Sequence, residues 1–172
     1  MMIKTLLPLA ALISLTACQS TTETTQHWQL TQGELAYAGQ TIDWSSDSLH
    51  SCNDCSIETD NGVHPSGPTV SHKLLQGDEL RAVKVEQFKN WVTVPHQQAP
   101  VKLHLSHNKD GSLMLHKPNG EMQHLNLHQS NKLELDGQEF ALWLDGYNPA
   151  SRNWRYDNEH DAPAIKYTLL AL

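Results

Sequence analysis

The chain has 172 residues, 38% of them hydrophobic, which suffices for one modest core and argues against several domains. Lys and Arg number 12 against 19 Asp and Glu, a net charge of −7, so the basic surface that phosphate neutralisation requires is missing and a nucleic-acid partner is excluded. The unusual feature is the presence of 11 histidines beside 3 cysteines.

Residues 1–17 begin with a charge at Lys4, continue as an apolar run from Leu6 to Leu15 and end on small residues. This is the layout of a secretory signal peptide, and the run is too short to span a bilayer. Leu15-Thr16-Ala17-Cys18 resembles the lipobox of bacterial lipoproteins. The resemblance implies cleavage before Cys18, acylation of Cys18 and stable anchoring in a lipid bilayer, since several acyl chains hold where one does not. With Gln19 rather than Asp in the next position, it also implies sorting to the outer membrane, the domain facing the periplasm. Loss of Lys4 with the leader leaves 11 basic against 19 acidic residues, a net charge of −8 with histidines neutral. Residues 18–25 are polar and aperiodic, a tether, and residues 26–172 read as a single β domain.

Beyond the tether, apolar residues alternate with polar ones at Leu35 and Tyr37, Ile42 and Trp44, Leu103 and Leu105, Leu113 and Leu115, Leu125 and Leu127, Leu133 and Leu135, and Phe140, Leu142 and Leu144. A period of two predicts half-buried antiparallel strands. Turn signals fall at Gly39-Gln40, Asp110-Gly111, Asn119-Gly120, Asp136-Gly137 and Asp145-Gly146. From Ser45 to Ser71 the abundance of Ser, Asn, Asp, Gly and Pro predicts a long irregular excursion. Over residues 78–92, Leu80, Val83, Phe88 and Trp91 mark a helical face while Val83 and Val85 alternate, so one helix and a strand are equally compatible. Ala164 to Leu172 predicts an apolar strand that must be tucked into a sheet or close a barrel. The fold class is therefore all-β, antiparallel hairpins forming a small closed barrel or a sandwich, with closure expected. Trp28 and Trp44 fall in strand pattern. Trp143 alternates away from the leucines of its segment and is expected to be exposed, and Asp145 to Asp161, with Tyr147, Trp154, Tyr156 and His160, reads as a polar-aromatic loop.

Register places the chemistry. If Leu105 lies opposite Leu113, His104 faces Met114, and a three-residue loop at Pro118-Asn119-Gly120 sets Met114 opposite His124 and His116 opposite Met122. His104, Met114 and His124 then form a row on the non-core face, with His116 and Met122 one pair away. Cross-strand neighbours have β-carbons about 4.5–5.5 Å apart. Thioether with imidazole suits Cu(I), and imidazole alone suits Zn(II) or Cu(II). Histidine as surface filler and methionine packed under a loop would give the same pattern.

With Cys18 given to lipid, Cys52 and Cys55 remain as a pair that an oxidising periplasm would close into a disulfide. A zinc site of both thiolates with imidazoles from His50, His64 or His72, and a redox-active pair, are the alternatives. Cys52-Asn53-Asp54-Cys55-Ser56-Ile57-Glu58-Thr59 resembles the Cys-x-Asp-Cys segment of the NlpE-type outer-membrane lipoproteins. That resemblance implies a small periplasm-facing β-barrel linked to copper tolerance and envelope-stress sensing. No nucleophile elbow, phosphate-binding glycine loop or zinc-protease helix occurs in the sequence, so no enzyme activity is expected. The expected function is that of a lipid-anchored binding or sensing lipoprotein capturing copper or zinc. A structural or partner-binding lipoprotein of an envelope assembly, with no metal role, is the alternative, and a pH response through the histidines is a third.

Overall fold

The structure is a computed structural model that describes residues 27–46, 49, 52–64, 67–87, 89–96, 99–110, 112–147 and 165–172. The expected leader, lipobox with Cys18 and tether lie outside these residues, as do His50 and residues 148–164. The described residues form thirteen strands and no helix: β1 (Trp28–Thr31), β2 (Glu34–Tyr37), β3 (Gln40–Thr41), β4 (Cys55–His64), β5 (Gly67–Gln76), β6 (Glu79–Gln87), β7 (Trp91–Val94), β8 (Val101–His107), β9 (Leu113–His116), β10 (Met122–Leu125), β11 (Ser130–Leu135), β12 (Gln138–Tyr147) and β13 (Ile165–Ala171).

They make three antiparallel sheets. The largest has the order β11-β12-β13-β6-β5-β4, the second β10-β9-β8-β7 and the third β1-β2-β3. Alternate residues of the central strands point to opposite faces, and both faces are covered. On one face Leu133, Phe140, Leu142, Leu144, Ile165, Tyr167 and Leu169 pack against Val92, Leu103, Leu105, Leu115 and Leu125 of the four-stranded sheet. On the other, Leu74, Ala82 and Leu170 pack against Leu35, Tyr37, Ile42 and Cys52 of the β1–β3 layer and the segment after it. The result is a sandwich with a third layer on its back, and among the described residues the expected closed barrel is not formed. The first core holds 17 buried residues against 7 in the second, and at about 1.5–3 kcal/mol for each buried apolar side chain the first is the stronger.

Over residues 78–92, where a helix and a strand are equally compatible with the sequence, the chain forms the strands β6 and β7. Because β6 is interior to its sheet, Ala82 is buried towards one core while Val83 and Val85 are buried towards the other. Burial on two faces blurs the period of two into a spacing that imitates a helical face. The excursion expected between Ser45 and Ser71 is largely the β4–β5 hairpin. Its edge strand β4 is polar because Ser56, Glu58, Thr59 and Asp60 are exposed, so the sequence lacks the alternation that marks a half-buried strand. Asp145-Gly146 is a bulge within β12, not a turn, since the pairing with β13 shifts register between Leu144 and Gly146.

Trp143 leaves the main core as alternation requires, yet it is only 9% exposed. The β1–β2 turn lies over it: a β-carbon built on Gly33, whose φ is +80°, would come within 2.7 Å of Trp143 Nε1. Glycine is therefore needed there both for the left-handed backbone and for the close approach. Trp143 Nε1 donates to Asp145 Oδ1 at 2.7 Å, which satisfies the indole under its cover. The two sandwich sheets are tied by Tyr167, whose hydroxyl accepts from Thr93 N at 3.0 Å and donates to Thr93 O at 3.5 Å. Burial pushes the Tyr167 phenol up to about 12.

Candidate functional site

The outer face of the four-stranded sheet carries the histidines and methionines. Leu103 and Leu105 of β8, Leu113 and Leu115 of β9 and Leu125 of β10 point into the core. Alternation then sends His104 and Ser106, Met114 and His116, and Met122 and His124 outward. The β9–β10 register is the expected one: Met122 lies opposite His116 and His124 opposite Met114, and Gly120 has φ +85° in the connecting loop. The loop closes through Lys117 N to Glu121 O at 2.9 Å and Gly120 N to Lys117 O at 3.0 Å.

The β8–β9 register differs from expectation by one pair of residues. His104 lies opposite His116, not Met114, and Ser106 lies opposite Met114. The cause is the connecting turn. Asp110 Oδ1 accepts from Ser112 N at 2.9 Å and from Ser112 Oγ at 2.7 Å, and Asn108 N donates to Ser112 O at 2.9 Å, which centres the loop on Asp110. These Ser112 hydrogen bonds hold the Asp110 carboxyl below its ordinary range. The rows are thus Trp91–His104–His116–Met122 and Ser106–Met114–His124, all five sequence-selected side chains on one face but grouped differently.

Asn90 Nδ2 lies 3.3 Å from His104 Nδ1, and Ser106 Oγ lies 2.7 Å from His116 Nε2. Among the described residues no hydrogen bond engages His104 Nε2 or His116 Nδ1, so one ring nitrogen of each is left for a ligand. Met122 is 62% exposed. No cluster of three or more His, Cys, Asp or Glu suited to a metal ion occurs among the described residues, so any ion held here needs a thioether or an outside ligand as its third donor.

Cys52 and Cys55 are joined in a disulfide, with α-carbons 5.6 Å apart. That bond removes both thiolates a zinc site would use. His72 lies 2.9 Å from Thr59 Oγ1 through Nδ1 and has its ring beside Trp44, while His64 falls at the end of β4. Cys52 is 5% exposed, among Leu35, Tyr37 and Leu74, surroundings that disfavour a thiolate and give the pair a structural setting.

The alternation also passes over a second constellation. Trp91 ends the first row against His104, their ring centroids 6.1 Å apart. Two ammonium groups approach the same indole, Lys89 Nζ at 5.3 Å and Lys102 Nζ at 5.2 Å from its centre. Burial, and then the charge on Lys102, lower the Lys89 pKa. The signal available in the sequence was the phase of Lys102, which shares the face of His104. Comparison of the chain with protein families, with curated proteins and with solved structures gives no match.

Proposed function

We propose that the chain is a lipid-anchored outer-membrane lipoprotein that faces the periplasm and takes up Cu(I) through His104, His116 and Met122. The address is supported by the leader of residues 1–17 and by Leu15-Thr16-Ala17-Cys18. The Cys52–Cys55 disulfide accords with an oxidising compartment.

The single observation that carries the metal reading is that His104, His116 and Met122 occupy directly opposed positions on three successive strands. Two imidazoles and a thioether are the soft donor set that Cu(I) prefers, and each imidazole has a ring nitrogen free of hydrogen bonds among the described residues. Asn90 and Ser106 engage the other nitrogens and so orient the rings, as outer partners of metal-binding histidines do. Met114 and His124 form the adjoining pair, a second place for an ion moving along the face. Copper is cargo in this reading, so an exposed, open site is appropriate.

The test is a Cu(I) titration of the full chain in detergent, with ascorbate as reductant and a chromogenic chelator as competitor. The expected result is a Kd tighter than about 100 μM, corresponding to roughly −5.5 kcal/mol, and a loss of at least about tenfold in the H104A/H116A/M122A variant. Weaker binding, or binding indifferent to that variant, would overturn the reading. Incorporation of labelled palmitate, abolished by Cys18→Ser, tests the anchor separately.

A further inference from the structure

The four-stranded sheet covers only part of the six-stranded one. Where β5 and β6 run out from beneath β7 and β8, a groove of about 450 Å³ remains, a volume typical of small-molecule sites. Its floor is apolar: Leu75, Leu80, Val83 and Val85, with the buried edge of Tyr167. Along β6 the lining runs from Leu80 to Gln87, about 23 Å at ~3.3 Å per residue, the length of a long alkyl chain.

One end of this trough is cationic. Lys89 and Lys102 flank Trp91 there, whereas Lys73, on β5 opposite Val83, stands partway along the trough. Among the described residues none of the three lysines forms an ion pair, although the protein has 19 acidic residues to supply partners. Among the described residues the one carboxylate lining the groove, Glu58, lies on β4 opposite Lys73, level with Val83 and not with Gln87 at the Trp91 end. A paired set of lysines would be unremarkable surface. An unpaired pair stacked on one indole beside an apolar trough, in a protein of net charge −7, is complementary to a molecule with an alkyl body and an oxyanion head.

We propose that this groove binds a single-chain amphiphile with an anionic headgroup, its alkyl chain along Leu80, Val83 and Val85 and its carboxylate or phosphate between Lys89 and Lys102 at Trp91. The volume accommodates one chain, which separates this class from two-chain phospholipids. The lowered Lys89 pKa is consistent with a partly desolvated ammonium waiting for an anion, because a bound oxyanion would reverse the shift. The site shares no residue with the His104–His116–Met122 set, although its Trp91 adjoins His104, and it does not depend on that reading.

The experiment is photo-crosslinking of the full chain, in a sugar-headed detergent present in every arm, with a diazirine-bearing palmitate, followed by peptide mapping. Adducts are expected within residues 80–91, reduced at least about tenfold by K89Q/K102Q, a surface variant whose unchanged melting midpoint shows that it folds. A trimethylammonium probe with the same chain is expected to give no adducts there. Competition by unlabelled palmitate against that by lysophosphatidate of equal chain length tells a carboxylate head from a phosphate one, and strong competition by either supports the proposal. Adducts spread over the chain, adducts insensitive to K89Q/K102Q, equal labelling by the cationic probe, or equal competition by inorganic phosphate alone would each overturn it.

Discussion

Replacing Tyr167 by Phe removes one oxygen atom from the contact between the two sandwich sheets and leaves the ring in place. The parent hydroxyl accepts from Thr93 N and donates to Thr93 O, so the variant strips both bonds from β7 at once. Orphaning a buried backbone donor costs about 1–3 kcal/mol, and since Thr93 is half-buried the lower half of that range applies, about 1–2 kcal/mol. At roughly 2–4 °C per kcal/mol for a chain of this size, the thermal midpoint should fall by about 2–8 °C near neutral pH. The pH dependence gives a sharper test. The folded phenol has its pKa raised to about 12 from the ordinary 10.0, so folding favours the neutral form. Its contribution is then fully present below pH 10 and is lost as the pH rises through about 12, a loss of the order of 2–3 kcal/mol for a two-unit rise. Denaturant unfolding of parent and Y167F across this window should therefore show the parent's advantage shrinking and then reversing as the pH climbs, since a loss of about 2–3 kcal/mol exceeds the advantage of about 1–2 kcal/mol near neutrality. A constant separation through the alkaline range, or equal stability near neutrality, would refute the assignment of Tyr167 as the buried tie between the sheets.

Two further substitutions probe the third layer. Gly33→Ala should destabilise by about 1–3 kcal/mol in urea unfolding, because the added methyl meets Trp143 Nε1 at 2.7 Å and Asp145 Oδ1 at 2.8 Å on a backbone with φ +80°; an unchanged midpoint would mean that the turn does not cover the indole. The double variant C52S/C55S should lose about 2 kcal/mol, the loop-entropy value for a four-residue ring, and the parent in reductant should match it; no difference between oxidised and reduced parent would show that the crosslink is energetically idle.

Where one face of a strand is wet, alternation reports it faithfully, and β8, β9 and β11 are legible for that reason. The β9–β10 register could also be read, because Gly120 with its positive φ permits one short loop and hence one pairing. The β8–β9 register could not, since it turns on the Asp110 carboxylate capping Ser112, an interaction that shifts the loop centre by a single residue and so moves every cross-strand partner by two. Trp143 shows a different limit. Its phase was correct, but whether that face is wet depends on the β1–β2 turn more than a hundred residues earlier in the chain. The cationic end of the groove was hard to read for a similar reason: Lys89, between β6 and β7, and Lys102, on β8, meet at Trp91 through the β7–β8 pairing, and the apolar trough beside them arises where two sheets overlap. The Cys52–Cys55 crosslink followed from two remaining thiols in an oxidising compartment, whereas their spacing alone fitted a zinc site or a redox pair as well.

The position of β13 bears on how the molecule is made. This strand lies between β12 and β6 and supplies Ile165, Tyr167 and Leu169 to one core and Leu170 to the other, although it is the last of the thirteen strands to leave the ribosome. Its pairing with β6 bridges residues as distant as Gln87 and Ile165, so neither hydrophobic layer has its centre until residue 171 has been synthesised. A chain built this way is slow to commit, and its closing step is a concerted one, with both layers consolidating around the same late arrival.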